Sequence, residues 1–227
     1  MASPSITLYL DIVSPFSYIA YYVLRHSAIF STCKINYVPI SLGGLFKLCS
    51  NTPPIAVKSY KYAWINRERL SWANRFRVPM GQQVPEGFPQ NTLPLQQVLC
   101  AISRDAPDSL APAIDALYDS LWAKGNGRTV ELDSFLPILT AILGEVDAKA
   151  MLDLSEDAGI KSLLQSNTQK LFESGGFGLP WFECTSSDGE VNCFWGVDRI
   201  WQVVEFLGLV ENREELAQFI PGVTISP

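Results

Sequence analysis

Residues 6–24 predict a β-strand that enters an α-helix through a tight polar corner. Ser14 stands where a helix N-cap belongs, and Pro15 occupies the first helical position, where its fixed φ and missing N–H cost nothing. The corner therefore places a small hydroxyl at a helix N-terminus, beside the edge of a sheet. The strand is indicated by alternating apolar and polar residues, namely Ile6, Thr7, Leu8, Tyr9, Leu10, Asp11 and Ile12.

Two roles are open to the Ser14 hydroxyl on the residues alone. It can cap its own helix by accepting a backbone N–H from the first turn. It can also face an anionic ligand, because the free N–H groups at a helix start favour negative charge. The corner by itself does not choose between capping and binding.

The composition is that of a globular protein with one large domain or two modest ones. Of 227 residues, 48% are hydrophobic and 18% are charged, which disfavours disorder. The net charge of −6, without a basic stripe, argues against nucleic acid as a partner. Apolar stretches such as 135–143 are too short to span a bilayer, so no membrane partner is expected. The first residues show neither a secretory nor an import signal, which predicts a cytoplasmic protein.

Cysteine and histidine usage argues against a disulfide framework and against a metal site. The single histidine, His26, cannot hold zinc alone, and no Gly-rich phosphate loop follows a strand, so we expect neither a metal nor a nucleotide. Pairing of two cysteines across a predicted hairpin, Cys184 and Cys193, is the alternative to packing as free thiols. An odd number of cysteines without paired short spacings favours reduced thiols: Cys33, Cys49, Cys100, Cys184 and Cys193.

The middle of the chain has a helical texture that differs from both ends. Residues 33–39 predict a second strand parallel to the first, and residues 41–49 predict a short helix or a turn. From residue 55 to residue 175, helical patterns follow one another without a strand, so they cannot continue an alternating α/β sheet. We therefore expect an inserted helical domain, with helices over 57–76, 93–104, 109–124, 130–143, 148–152 and 158–174.

Strand patterns resume after the helical block. Residues 181–184 and 191–195 flank an Asp188-Gly189 turn, which predicts a β-hairpin, and residues 196–199 open a last amphipathic helix. The sequence thus predicts an α/β fold in which a β-α-β part and a β-β-α part are separated by a large all-helical insertion.

The corner and several later segments resemble one enzyme family. The segment LYLDIVSPFSYIA is similar to the start of the kappa class of glutathione transferases and of the related 2-hydroxychromene-2-carboxylate isomerases. In the wider thioredoxin superfamily this corner carries Cys-x-x-Cys, whereas here it carries Ser14-x-x-Ser17. The resemblance implies a thioredoxin-like sheet built from residues 1–54 and 176–227, with residues 55–175 as the inserted helical domain.

The resemblance also implies where glutathione would bind. Ser14 would face the glutathione sulfur as the catalytic residue. Asn51, in a loop before a proline pair, would hydrogen-bond the tripeptide backbone; read alone, an Asn in such a loop is a turn former. Leu179, before a cis Pro180, would hydrogen-bond the cysteinyl backbone.

The segment Gly196-Val197-Asp198-Arg199 resembles the Gly-Ser-Asp-Arg of the kappa class. At a helix N-terminus it would receive the α-carboxylate of glutathione, and Asp198 would take the α-amino group. Val197 departs from the pattern because it has no hydroxyl, which should weaken glutathione binding by about 0.5–1.5 kcal/mol. Helix capping or an ion pair with Arg199 is the alternative role for Asp198.

A second-substrate pocket could be lined by Phe16, Tyr60 and Trp64, although aromatic residues at helical spacing are also typical of a core.

The expected function is a glutathione transferase that activates the thiol of glutathione, its co-substrate, and adds it to a small apolar electrophile. The alternatives are a glutathione-dependent isomerase of the hydroxychromene carboxylate type and a non-catalytic thiol- or peptide-binding module. A disulfide oxidoreductase is disfavoured because Ser14 and Ser17 carry no sulfur. The resemblance further implies a homodimer and leaves a mitochondrial or peroxisomal location open.

Overall fold

A mixed four-stranded sheet organises the part of the chain that the structure describes. The computed structural model describes residues 2–52, 59–211 and 215, with side chains at 59–61 excepted. Its strands are β1 (Ser5–Leu10), β2 (Lys34–Pro39), β3 (Trp181–Thr185) and β4 (Val191–Trp195). The strand order is β2-β1-β3-β4; β1 runs parallel to β2 and antiparallel to β3, and β3 runs antiparallel to β4. The expected β-α-β plus β-β-α arrangement is confirmed.

β1 is an inner strand, and its side chains alternate as the sequence predicts. Ile6, Leu8 and Leu10 are fully buried. The strand ends at Leu10, two residues earlier than the alternation suggests, because the chain turns there: the Ser14 N–H donates to the Asp11 carbonyl at 2.9 Å.

α-Helices connect the strands and form the predicted all-helical insertion, which is confirmed. Among the described residues, one helix links β1 to β2 and so makes them parallel, one follows each of β2 and β4, and six more form the insertion. In chain order the helices are α1 (Pro15–His26), α2 (Leu42–Leu48), α3 (Ser59–Arg75), α4 (Leu93–Asp105), α5 (Pro107–Tyr118), α6 (Leu132–Leu143), α7 (Glu145–Ser155), α8 (Ala158–Glu173) and α9 (Ile200–Phe206).

Two helices of the described insertion differ from their predicted extents by more than two residues, while residues 57 and 58 of the first predicted helix lie outside the described residues. The helix expected over 109–124 changes after Tyr118 into a π-helical turn, Asp119–Ala123. The short helix expected over 148–152 is the longer α7, because Gly144, at φ 85°, separates it cleanly from α6. The acidic residues Glu145 and Asp147 then occupy its first turn, where the helix dipole favours them.

Side chains of the insertion pack into the same core as the sheet and brace the end of β1. Fully buried Gln96 donates from Nε2 to the carbonyls of Leu10, at 3.0 Å, and Ile40, at 2.7 Å. Trp122 Nε1 donates to the Ile12 carbonyl at 2.9 Å, and the Tyr118 hydroxyl donates to the Asp11 carbonyl at 3.3 Å. Because buried carbonyls need donors, these contacts fix the backbone that leads into the corner.

The five cysteines are free thiols. Cys193 lies opposite Glu183, and Cys184 lies opposite Asn192, so the two cysteines of the hairpin point to opposite faces of the sheet. Among the described residues, no cluster of three or more His, Cys, Asp or Glu side chains could hold a metal ion. Within the same residues, no helix has the length and apolar character needed to cross a bilayer.

Candidate functional site

A cavity of about 570 Å³ opens at the polar corner, within the size range of small-molecule sites. Its wall combines the corner, the start of α2, the loop before α4 and the turn before β3. Most of the lining side chains are apolar, among them Phe16, Leu42, Phe46 and Phe88. Among the described residues that line it, Asp11 is the sole charged one.

Ser14 lies at the N-cap of α1 and lines this cavity. Its backbone is extended, at φ −89° and ψ 113°, and its Oγ accepts a hydrogen bond from the Ser17 N–H at 3.1 Å. Capping uses the hydroxyl only as an acceptor. Within the described part of the chain the hydroxyl hydrogen has no acceptor, so it remains available to a ligand in the cavity. The two roles left open by the sequence are therefore compatible.

Ser17, the other serine of the corner, does not share this position. It is fully buried and is not among the residues that line the cavity. Of the two serines that stand in place of a Cys-x-x-Cys pair, only Ser14 can reach a ligand there.

Asp11 is a site residue that the sequence did not single out, because it appears there as one polar residue in an alternating strand. It is 1% exposed and lines the cavity. Its carboxylate accepts hydrogen bonds from the N–H of Val13, the N–H of Leu42 and the hydroxyl of Thr92. Burial raises the pKa of Asp11, and these three hydrogen bonds oppose that rise because they favour the charged form.

Two of the expected glutathione contacts lie in the cavity wall. Asn51 is exposed there, and its backbone N–H donates to the Phe46 carbonyl at 2.9 Å. Leu179 also lines the cavity, and the Leu179–Pro180 peptide bond is cis. Pro180 itself is buried behind this wall, where its carbonyl accepts from the Gly196 N–H at 3.1 Å.

The segment expected to hold the other end of glutathione does not line the cavity. Val197 begins a 3₁₀ turn, Val197–Arg199, and is 4% exposed because it packs in the main core. The Asp198 carboxylate is exposed and lies 3.6 Å from the Arg199 Nε. The ion pair considered as the alternative for Asp198 is thus present in the structure.

The expected second-substrate residues are separated in the structure. Phe16 lines the cavity. Trp64 is 56% exposed and does not line the cavity. The Arg67 Cζ lies over its ring, 4.0 Å from the ring centroid. Tyr60 belongs to α3, but its side chain lies outside the described residues.

An aromatic pair that the sequence missed stands at the rim of the cavity instead. Phe177 and Trp195 are 44% and 47% exposed, and their ring centroids are 4.5 Å apart. Gly178 makes this arrangement possible, because a Cβ there would come within 2.8 Å of Trp195 Nε1. The sequence signal was the Gly176-Phe177-Gly178 run, which leaves an aromatic side chain between two residues without one.

Comparison with known proteins identifies the family. Residues 5–208 match the sequence model of the DsbA-like thioredoxin domain. This chain belongs to the DsbA-like thioredoxin family. This DsbA-like chain is 24% identical to glutathione S-transferase kappa 1 of Caenorhabditis elegans over 210 residues. The alignment covers 90% of this chain and 91% of that protein. It is also 26% identical to glutathione S-transferase kappa 1 of Rattus norvegicus over 206 residues, an alignment that covers 88% of this chain and 89% of the rat protein.

The fold of this DsbA-like protein is also that of a solved 2-hydroxychromene-2-carboxylate isomerase. The two superpose with a TM-score of 0.74 at 20% sequence identity, over 94% of this chain and 97% of the isomerase. The similarity to the kappa-class transferases and to this isomerase confirms the resemblance drawn from the corner.

Proposed function

We propose that this protein is a glutathione transferase of the kappa type, which holds glutathione as a thiolate at Ser14 and adds its sulfur to a small apolar electrophile. The observation that carries the proposal is the Ser14 hydroxyl: it is 5% exposed, lies at a helix N-terminus in a cavity, and has a donor hydrogen without an acceptor among the described residues. The kappa transferases of similar sequence support glutathione as the thiol.

The physical task of such a site is to lower the pKa of the thiol. A thiol with a pKa of ~8.5 is only a few per cent ionised at neutral pH. A downward shift of two units raises the thiolate fraction more than tenfold and corresponds to about 2.7 kcal/mol. The Ser14 O–H and the positive end of the α1 dipole both stabilise a negative sulfur, whereas the charge of Asp11 opposes it.

The rest of the cavity suits the two reactants. Asn51 and Leu179 offer polar groups for the peptide part of glutathione, and the apolar wall with the Phe177–Trp195 pair would receive an apolar electrophile. Holding both reactants in one cavity adds rate enhancement through orientation. Lys58 and Lys61 follow the Asn51 loop in the sequence and could neutralise a glutathione carboxylate, but their side chains lie outside the described residues.

Steady-state kinetics with glutathione and chlorodinitrobenzene test this function. Ser14→Ala should lower kcat about tenfold to a hundredfold, since it removes the donor to the thiolate. Ser14→Gly should lower kcat equally while costing the helix only a few tenths of a kcal/mol, so it separates the chemistry from the cap. Ser17→Ala, in the same corner but off the cavity, is the matched control and should leave kcat unchanged.

Three outcomes would contradict the proposal. Unchanged kcat in both Ser14 variants would remove Ser14 from the mechanism. Turnover of a hydroxychromene carboxylate at constant glutathione concentration would indicate an isomerase instead of a transferase. Glutathione binding, detected as a rise in Tm, without turnover of any electrophile would indicate a binding module.

A further inference from the structure

Asp11 is the only buried Asp or Glu among the described residues, and it lies three residues before Ser14. Its Oδ1 accepts from the Val13 N–H at 3.1 Å and from the Thr92 hydroxyl at 2.7 Å, and its Oδ2 accepts from the Leu42 N–H at 2.9 Å. The three donors belong to the corner, the start of α2 and the start of α4. All three segments line the cavity, and each donates one hydrogen bond to the Asp11 carboxylate.

The neighbouring helix starts are arranged around this carboxylate. Thr92 occupies the N-cap of α4 but makes no side-chain cap bond, because its hydroxyl is directed to Asp11. The first N–H of that helix, at Leu93, is instead served by the Asn91 side chain at 3.1 Å. At α2, the Ser41 hydroxyl takes the Gly44 N–H and leaves the Leu42 N–H for Asp11.

A stabilising role alone does not account for a charge in this position. A buried carboxylate pays a desolvation penalty that an apolar residue of similar volume would avoid. No Lys, Arg or His among the described residues lines the cavity to neutralise it. The Tyr118 hydroxyl donates to the backbone carbonyl of Asp11 at 3.3 Å, and burial and the Asp11 charge raise the pKa of Tyr118.

We propose that Asp11 is a positioning residue for the reaction at Ser14, whose carboxylate holds the corner, α2 and α4 at the separations that bring the thiol and the electrophile together. This role rests on the proposed function. It acts through the positions of the walls and not through the thiolate, because a negative carboxylate disfavours a second negative charge in the same cavity.

Asp11 should favour the reaction by positioning the cavity walls and oppose it by repelling the thiolate. Because these two effects have opposite signs, one variant can test them separately. In Asp11→Asn, only one of the two positions keeps an acceptor oxygen, so either the Leu42 N–H or the Val13 N–H loses its acceptor; the walls then shift and kcat should fall about tenfold or more. The pKa of the bound glutathione thiol, followed by thiolate ultraviolet absorbance, should stay the same or decrease, because a repelling charge has been removed. KM for glutathione should change less than about threefold.

Thr92 provides an independent pair of variants should Asp11→Asn not fold. Thr92→Val removes the hydroxyl donor and should lower kcat about threefold or more, whereas Thr92→Ser restores the donor and should recover most of the activity. Thr129→Val is the control, since Thr129 is also fully buried and its hydroxyl donates to the Asn126 carbonyl at 2.7 Å, away from the cavity. It should lower Tm without lowering kcat.

The proposal is overturned if folded Asp11→Asn keeps wild-type kcat, if its bound thiol has a raised pKa, or if Thr92→Ser is as impaired as Thr92→Val. A wild-type chain that transfers no glutathione to the electrophile would overturn the proposed function, and the positioning role with it. Wild-type turnover combined with unaffected Asp11 and Thr92 variants would overturn the positioning role alone.

Discussion

The start of α1 and the turn that leads into α9 are two helix starts from which opposite ends of one ligand would be held, and they are built differently. At α1, Ser14 is buried, caps the helix and lines the cavity. At the second start, Val197 packs its side chain into the core, and Asp198 faces solvent beside Arg199. Under the proposed function, this contrast predicts that glutathione is recognised mainly at its sulfur end.

The two helix starts also differ in how firmly they are held. Trp122, Tyr118 and Gln96 of the insertion donate to the backbone before α1. At the second start, the Gly196 N–H donates to the Pro180 carbonyl, and the Asp198 side chain makes an exposed ion pair. Preorganised donors stabilise developing charge better than mobile ones, so the braced start is the one suited to catalysis.

Trp122→Phe tests the bracing of the first helix start and should have the largest effect on stability. Trp122 is 1% exposed, and the change leaves a cavity and deprives the Ile12 carbonyl of its donor. The free energy of unfolding should fall by about 2–4 kcal/mol, measured by urea denaturation.

Trp64→Phe is the matched control, because Trp64 is 56% exposed on α3. It should change the free energy of unfolding by less than about 1 kcal/mol. An equal loss in both variants would mean that the corner is not braced by Trp122. A raised KM for the electrophile in Trp64→Phe would restore Trp64 to the second-substrate pocket.

Local signals were sufficient to predict the corner and the hairpin. The Ser14-Pro15 start and the Asp188-Gly189 turn depend on residues adjacent in sequence, and both were found from it. Contacts between distant segments carried no such signal. The hydrogen bond between Asp11 and Thr92 spans 81 positions, and the contact of Trp122 with Ile12 spans 110.

The aromatic residues show why helical spacing alone could not locate the pocket. Trp64 lies on a helix with aromatic spacing, yet its ring turns outward onto Arg67. Phe177 precedes β3 and Trp195 ends β4, and they meet because the hairpin brings Trp195 back beside the start of β3. A pocket wall built from a loop residue and a strand end is set by tertiary packing, which periodicity does not record.

Val197→Ser would make the second helix start more like the kappa pattern and should have a moderate effect. Loss of a buried apolar side chain should lower the free energy of unfolding by about 1–2 kcal/mol. Because the side chain of residue 197 packs into the core and does not line the cavity, the added hydroxyl should leave the Kd for glutathione unchanged, as measured by calorimetry.

Two companion variants check these expectations. Val197→Thr keeps the branched shape, so it should lower the free energy of unfolding less than Val197→Ser does and should leave Kd unchanged. Val197→Ala loses packing without gaining a hydroxyl and should not bind more tightly. Tighter binding in Val197→Ser and Val197→Thr, but not in Val197→Ala, would show that residue 197 reaches glutathione as the kappa pattern implies.

Asp198→Asn should have the smallest effect on stability and gives the cleanest test of the second helix start. The Asp198–Arg199 pair is exposed and its charged atoms are 3.6 Å apart, so its loss should change the free energy of unfolding by less than about 0.5 kcal/mol. If the carboxylate takes the glutathione α-amino group, Kd should still rise about two- to fivefold, and kcat should not change. Asp188→Asn, which removes an exposed charge from the β3–β4 turn, should alter neither quantity. Unchanged Kd in Asp198→Asn would leave Asp198 with its ion pair alone, and the ligand would then be held almost entirely from the α1 side of the cavity.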